Sequence, residues 1–292
     1  MLDSMHVNFA FPKRWWARHY DEMTPEFIIE NIQRRVALLM DFINSDYEIK
    51  NEYLRGAEEL HQVRYLKECL IGEGNIPAVP NVEAVILDVI NGKRQENSID
   101  EKTIAKIYNL NKTVKLFFPY PFPSTENFDI STFTTDYACR LHESIGDGII
   151  QNCGVYRTTL ASAAQMEYEY CPPYLIRKRM GSLFTETRAL MNPLPSMEMA
   201  VKIASSFVGT FLEIHPFSNG NGRTARLLLS FLLSPYTVVP LPLYNTSTNS
   251  DVWIECLHHG RLIAPHKYDQ LASFILECMH ICLIQTCNSL DL

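Results

Sequence analysis

His215-Pro-Phe-Ser-Asn-Gly-Asn-Gly-Arg-Thr-Ala-Arg226 decides how this chain is read: a histidine, a Gly-Asn-Gly turn and two arginines stand directly before an apolar run, Leu227 to Leu233, that reads as a buried helix. Gly220 and Gly222 permit positive φ and close backbone approach, Asn221 tolerates the left-handed region, and successive N–H groups of such a turn can converge on an anion. The N-terminus of the following helix adds its positive dipole end. Arg223 and Arg226 are three positions apart, so on a helix they share a face, and both guanidinium forks can reach a polyphosphate bound at the helix start. Within the stretch only His215 can take up a proton near neutral pH, with an ordinary pKa of about 6.5, which makes it the candidate general base. Singly, each feature has an ordinary structural explanation, since Gly-Asn-Gly is a common turn and arginines often stand solvated at helix starts. Their order carries the meaning.

In that order the stretch resembles the signature of the Fic family, His-Pro-Phe-x-(Asp or Glu)-Gly-Asn-Gly-Arg-x-x-Arg, with every fixed position present except one. Asn219 stands where the family has the carboxylate that binds magnesium; an amide oxygen can ligate a hard cation but brings no charge. The resemblance implies a mostly α fold, a Fic-type helical bundle with a small β-hairpin flap. It also implies a protein adenylyltransferase, which moves AMP from ATP onto a hydroxyl side chain of a target protein. His215 would be its catalytic base, and Gly220, Asn221, Gly222, Arg223 and Arg226 would hold the phosphates of ATP. Asn219 would be a weakened ligand for Mg2+ or Mn2+. Removal of AMP from a modified protein, transfer of another nucleotide or phosphate ester, and a catalytically weak ATP-binding scaffold stay open beside that reading.

Further upstream, Cys69-Leu-Ile-Gly-Glu73-Gly-Asn75 resembles the family's inhibitory motif, (Ser or Thr)-x-x-x-Glu-(Gly or Asn), with Cys69 in place of the hydroxyl residue. The resemblance implies autoinhibition: Glu73 pairs with Arg226 and occupies the fork that would hold the γ-phosphate. Gly154-Val-Tyr-Arg157 through Tyr170 mixes β-branched and aromatic residues with small ones, the most strand-like segment of a helical chain. It resembles the family's flap, which aligns the target's backbone by strand addition.

Two regions follow: a helical segment at 1–97 holding the candidate inhibitory helix, and a Fic domain with C-terminal helices at 98–292. Thr24-Pro25 is a capped helix start, with Ile28, Ile32, Val36, Leu39 and Ile43 at helical spacing up to about Asn44. A second helix from about Tyr47 to Gly72 would pair with it as an antiparallel hairpin. Val82 to Ile90 reads as a short helix, and Ser98-Ile-Asp-Glu101 as a capping box opening a helix to about Asn109. Helices are also expected at Phe128 to Ile145, Tyr174 to Met191, Ser196 to Glu213, Asp251 to Arg261 and His266 to Cys287, with Pro216 ending the one that delivers His215.

Composition bounds the rest. With 292 residues, 47% of them apolar, the chain can bury a large core. Its 26 basic and 33 acidic residues give a net charge of −7, and without a dense Lys/Arg cluster there is no footprint for a nucleic-acid polymer. Eight cysteines without a CxxC pair read as reduced core residues of a cytoplasmic or nuclear protein. Met1 to Trp16 lacks a secretory core, and Leu271 to Cys287, interrupted by Glu277, His280 and Gln285, reads as a buried terminal helix rather than a membrane span. His258 and His259 are adjacent and cannot face one metal from a helix, so no zinc is expected. The expected partners are a nucleotide and a protein substrate, with the choice between monomer and homodimer open.

Overall fold

A helix that is apolar on every side must be enclosed by others, and the run Leu227 to Leu233 obeys that rule. In a computed structural model, which describes residues 7–9, 24–45, 50–71, 81–93, 99–118, 128–163, 168–243, 251–262 and 268–292, it forms part of α8 (Asn221–Thr237), nearly all of it buried. Packed along it is α7 (Met197–Ile214), capped by Ser196 and burying Val201, Ile203, Phe207, Val208 and Phe211. Around this pair lie α5 (Thr135–Gly146), α6 (Pro173–Leu190) and α10 (Asp269–Asn288), with α9 (Asp251–Leu262) against α10. At Gly209 of α7 a methyl group would meet the Tyr268 ring at 2.2 Å. The missing side chain there lets Tyr268 reach in and donate a hydrogen bond to the Glu213 carboxylate.

The first helix, α1 (Pro25–Asn44), begins as its sequence requires: Thr24 accepts from the Phe27 N–H at 3.2 Å and Pro25 takes the first position. It buries Ile28, Ile32 and Leu39, but its main neighbour is α10 and not α2 (Lys50–Ile71), which corrects the expected hairpin. The reason is α10, whose buried residues run round its whole circumference, so that α1 covers what α7 and α9 leave open. α10 is long and apolar enough to cross a membrane by length and composition, and most of it is buried inside the fold.

α2 packs on α3 (Val82–Ile90) and α4 (Glu101–Phe117). The α4 cap is Asp100, whose carboxylate accepts from the Thr103 N–H at 2.8 Å, and Ser98 lies outside the described residues. α4 runs well past Asn109 because the polar residues that read as an ending are buried with partners. Asn109 donates to the Asp147 carbonyl at 2.7 Å, Thr113 back-bonds to the Asn109 carbonyl at 2.7 Å, and Asn111 accepts from Gln62. The helix expected from Phe128 divides into a 3-10 turn, Ile130–Thr132, and α5, capped by Thr134. Between them Phe133 turns inward, its ring centroid 4.7 Å from Phe184, 5.0 Å from Phe207 and 5.4 Å from Phe231.

Among the described residues, strand structure is confined to β1 (Ser162–Ala163) and β2 (Tyr168–Glu169), antiparallel, with Ser162 opposite Glu169 and Ala163 opposite Tyr168. Gly154 to Leu160 contributes turns and irregular chain to it rather than strand. One hydrophobic core joins Ile28 and Leu70 to Ile107, Phe207 and Leu283, so the helices before and after residue 97 share it. None of the eight cysteines is in a disulfide, and all but Cys139 and Cys153 are buried.

Burial also sets the response to acid. Desolvation depresses His61, His142, His215 and His280 to about 4 each. Below about pH 6.5 the unfolded chain protonates these histidines while the folded chain does not, so unfolding takes up protons and stability rises with pH there. Thermal melts should therefore show Tm falling as pH drops from about 6.5 to about 4. A flat Tm across that window would mean that these rings are solvated.

Candidate functional site

Pro216 cannot continue α7, and the chain leaves the helix at His215, which caps it in the left-handed region with φ 50° and ψ 59°. A non-glycine residue held there is strained, and such strain persists only where the surroundings impose it. Those surroundings are visible. Phe217 is fully buried. Asn221 clasps it, accepting from the Phe217 N–H at 3.0 Å and donating to the Phe217 carbonyl at 2.7 Å. Beside it the His142 ring stacks on Phe217 with centroids 3.8 Å apart and planes 5° apart.

His142 of α5 also fixes the turn. Its Nδ1 accepts from the Gly154 N–H at 2.8 Å and its Nε2 donates to the Asn219 carbonyl at 2.8 Å. That pair of bonds requires the neutral Nε2–H tautomer. The same form is favoured by burial, which lowers the pKa to about 4, helped by Arg223 and opposed by the Asn219 bond.

The turn uses positive φ once, at Gly220 (φ 74°), the N-cap of α8. A methyl group there would stand 3.1 Å from Ile150 and 3.3 Å from His142. Gly222 and Asn221 belong to the helix itself, so the left-handed role expected for them falls to Gly220 alone. The Asn221 amide is committed to the loop's own backbone, which leaves its N–H, not its side chain, to face an anion. Thr224 N–H, bonded to the Gly220 carbonyl at 3.0 Å, closes the first helical turn. The amides before it have no intrahelical acceptor.

Arg223 and Arg226 are 2% and 0% exposed, two fixed positive charges at the positive end of a helix. Arg226 lies 5.3 Å from the centroid of the Trp253 ring on α9. α2 also reaches α8, where the Tyr65 hydroxyl sits 3.4 Å from Ser230, and Tyr65 feels the Arg226 charge. Burial raises the Glu68 carboxyl to about 7, against Lys67 and Arg64, with Arg226 also pulling it down. The last turns of α2 thus run beside Arg226, and Glu73 lies outside the described residues.

The His215 ring stacks on Tyr170, which follows β2, at 3.9 Å and 17°. Its pKa is lowered to about 4, first by burial and then by Arg157, while the Leu212 carbonyl opposes and Arg261 adds to the effect. At neutral pH it is an uncharged base. Arg261 of α9 lies 4.6 Å from the Tyr168 ring and 5.7 Å from the Tyr170 ring, and donates to the Leu212 carbonyl at 3.4 Å. Arg157, buried beneath the hairpin, donates to the backbone of both the hairpin and the end of α7. His142, Arg157 and Tyr170 are invisible as site residues in the sequence, because their partners are carbonyls and rings far along the chain. Gly154-Val-Tyr-Arg157 marks only the segment.

At the position that the motif reserves for a cation ligand the loop offers a neutral oxygen, Asn219 Oδ1. Although the residue is exposed, that oxygen accepts from the Gly220 N–H at 2.6 Å. Among the described residues no group of three or more His, Cys, Asp or Glu faces a common point. These residues do not make a resident metal site, so any cation would be held chiefly by a nucleotide's own phosphates. Asn219→Asp supplies the missing charge and should tighten Mn2+ binding in the presence of a non-hydrolysable ATP analogue by about tenfold, read by direct titration. Unchanged affinity would place residue 219 away from the cation.

The Fic/DOC family model matches residues 132–233, which contain the turn, its arginines, the hairpin and His142. A Fido domain-containing protein of Dictyostelium discoideum is 32% identical over 140 residues, covering 46% of this chain and 90% of that protein. A ribonucleoside-diphosphate reductase small chain of Ostreid herpesvirus 1 (isolate France) is 36% identical over 61 residues, 21% of this chain, and the chain spans 9% of that protein's length. In fold, the chain is similar to a Fic domain containing signaling protein from Bacteroides thetaiotaomicron, with a TM-score of 0.71 at 18% identity, covering 89% of this chain and 98% of the other. The mostly helical bundle with its small hairpin, the ordered motif of the His215 loop and a relative matched over nine-tenths of its length agree: the chain belongs to the Fic/DOC family.

Proposed function

We propose that this chain is a protein adenylyltransferase, moving AMP from ATP onto a hydroxyl side chain of a target protein. Proteins of the Fic/DOC family are typically transferases. The observation that carries the reading is a neutral, half-buried histidine held in a strained conformation directly upstream of a helix N-terminus carrying two sealed arginines. A phosphate-holding scaffold has no use for such a base.

The chemistry follows from those groups. His215 takes the proton from the target hydroxyl as its oxygen attacks the α-phosphorus. The bond from that phosphorus to the bridging oxygen breaks, pyrophosphate leaves, and the target keeps AMP as a phosphodiester. The imidazolium then returns its proton to solvent. N–H groups of the first turn of α8, with Arg223 and Arg226, hold the phosphates and the charge that develops on the leaving group. The hairpin's open edge supports alignment of the target by strand addition.

Residues 98–292 carry this reaction in the proposal and residues 1–97 regulate it, with Glu73 competing for Arg226. The course of α2 beside Arg226 supports that division. Eight cysteines with no disulfide among them support a reducing compartment, cytoplasmic or nuclear. Intact-mass analysis after incubation with ATP tests the reaction: each modified hydroxyl should add one adenylyl group and release one pyrophosphate. Mass gain without pyrophosphate, or AMP released from an already modified protein, would replace transfer by one of its neighbouring chemistries.

A further inference from the structure

One guanidinium fastens the hairpin to the end of α7. Arg157 is 6% exposed. Its Nε donates to the His215 carbonyl at 2.7 Å and its Nη1 to the Thr159 carbonyl at 2.7 Å. Its Nη2 donates to the carbonyls of Cys171, at 2.6 Å, and Ile214, at 3.2 Å. Thr159 precedes β1 and Cys171 follows β2, so both arms of the hairpin meet the last residues of α7 at a single side chain. Backbone bonds reinforce the junction: Arg157 N–H to the Pro216 carbonyl at 2.9 Å, Cys171 N–H to the Glu213 carbonyl at 3.3 Å, and Tyr170 N–H to the Ala161 carbonyl at 3.1 Å.

This use of a buried arginine is specific. A planar fork with five donors can serve carbonyls in several directions at once, whereas an ammonium group presents three donors from one point. Its printed partners are all backbone oxygens, and among the described residues no carboxylate pairs with it, so its positive charge acts on the ring beside it. We propose that Arg157 is a positioning residue that holds the hairpin and His215 as one rigid unit, so that a hydroxyl presented on the hairpin meets the imidazole at a set distance. The kinetic half of this proposal rests on the transfer reaction proposed above. Its structural half does not.

The groups facing the His215 ring are Arg157, Arg261, Tyr170 and the Leu212 carbonyl. Arg157→Lys keeps the charge and loses most of the carbonyl bonds, while Arg157→Gln loses both. In Arg157→Lys, automodification from α-labelled ATP should fall by up to about 10²-fold, the scale expected for misplacing reacting groups by about 1 Å. Affinity for a non-hydrolysable ATP analogue should stay within about twofold, because the anion-binding end of α8 is untouched. The acid limb of the rate should stay in place for Arg157→Lys and move to higher pH for Arg157→Gln, which removes a positive neighbour of the base.

Amide hydrogen exchange supplies a readout independent of activity. In the wild-type chain the amides of Arg157, Tyr170 and Cys171 should open together with that of His215, as one cooperative unit. In Arg157→Lys the hairpin amides should exchange about tenfold faster or more, with α7 and α8 still protected. Hairpin amides that open independently of His215 in the wild type, or that keep their protection in Arg157→Lys, would overturn the proposal. So would parallel losses of transfer and ATP affinity. A wild-type chain that transfers nothing would reject the proposed reaction, and the exchange pattern would still decide the fastening.

Discussion

His215→Ala is expected to lower AMP transfer by about 10² or more, the usual scale for loss of a general base, while ATP affinity stays nearly unchanged. The two effects should separate because the proposed phosphate site is on α8, which begins after the loop, and Phe217, His142 and Asn221 hold that loop independently of the imidazole. Initial rates against pH refine the same prediction. The base works only when neutral, and burial with Arg157 and Arg261 lowers its pKa to about 4. Transfer should therefore persist below pH 6.5 and fail only as pH approaches about 4, with Tm followed on the same samples to separate loss of the base from loss of the fold. Wild-type rates in His215→Ala would remove this residue from the chemistry, and an acid limb at an ordinary histidine pKa would mean a solvated ring.

Glu73→Gly should act in the opposite direction, raising automodification on the order of tenfold or more. A carboxylate paired with the Arg226 fork takes the place of a γ-phosphate and turns the α-phosphate away from in-line attack. Arg226 suits that competition, being fully buried beneath Trp253 and beside the last turns of α2, whose Glu68 already senses its charge. Arg226→Ala should give no such rise, because it frees Glu73 and removes the phosphate contact together. If Glu73→Gly is no more active than the wild type while His215→Ala abolishes transfer, Glu73 is an ordinary helix-end glutamate. Cys69 in place of a hydroxyl residue would then be the sign that the motif has lost its role.

What the sequence made legible follows from the range of the interactions involved. The α1 start was readable because Thr24, Pro25 and the apolar spacing act within a turn or two, and the helix behind Arg226 because nothing but burial suits Leu227 to Leu233. The chemical order of the His215 loop was readable for the same reason. Long-range partners were not. Locally, only a competition between capping candidates misled: the Asp100 carboxylate captures the Thr103 amide and starts α4. Asn109 and Asn111 looked like an ending until Asp147 and Gln62 arrived from elsewhere. The side chain of Asn221 closes the loop on Phe217, a contact that the motif does not announce, which leaves its N–H as the group toward an anion. Arg157 and His142 bind carbonyls contributed by the fold, and no local pattern marks such residues.

The most direct test of the central claim is a pair of parallel incubations of the full chain with ATP labelled at the α-phosphate or at the γ-phosphate, for the wild type, Glu73→Gly and His215→Ala. Covalent label on protein is expected from the α-position only, stronger in Glu73→Gly and absent in His215→Ala. Protein-bound label from the γ-position, or α-label that persists without His215, would contradict that claim.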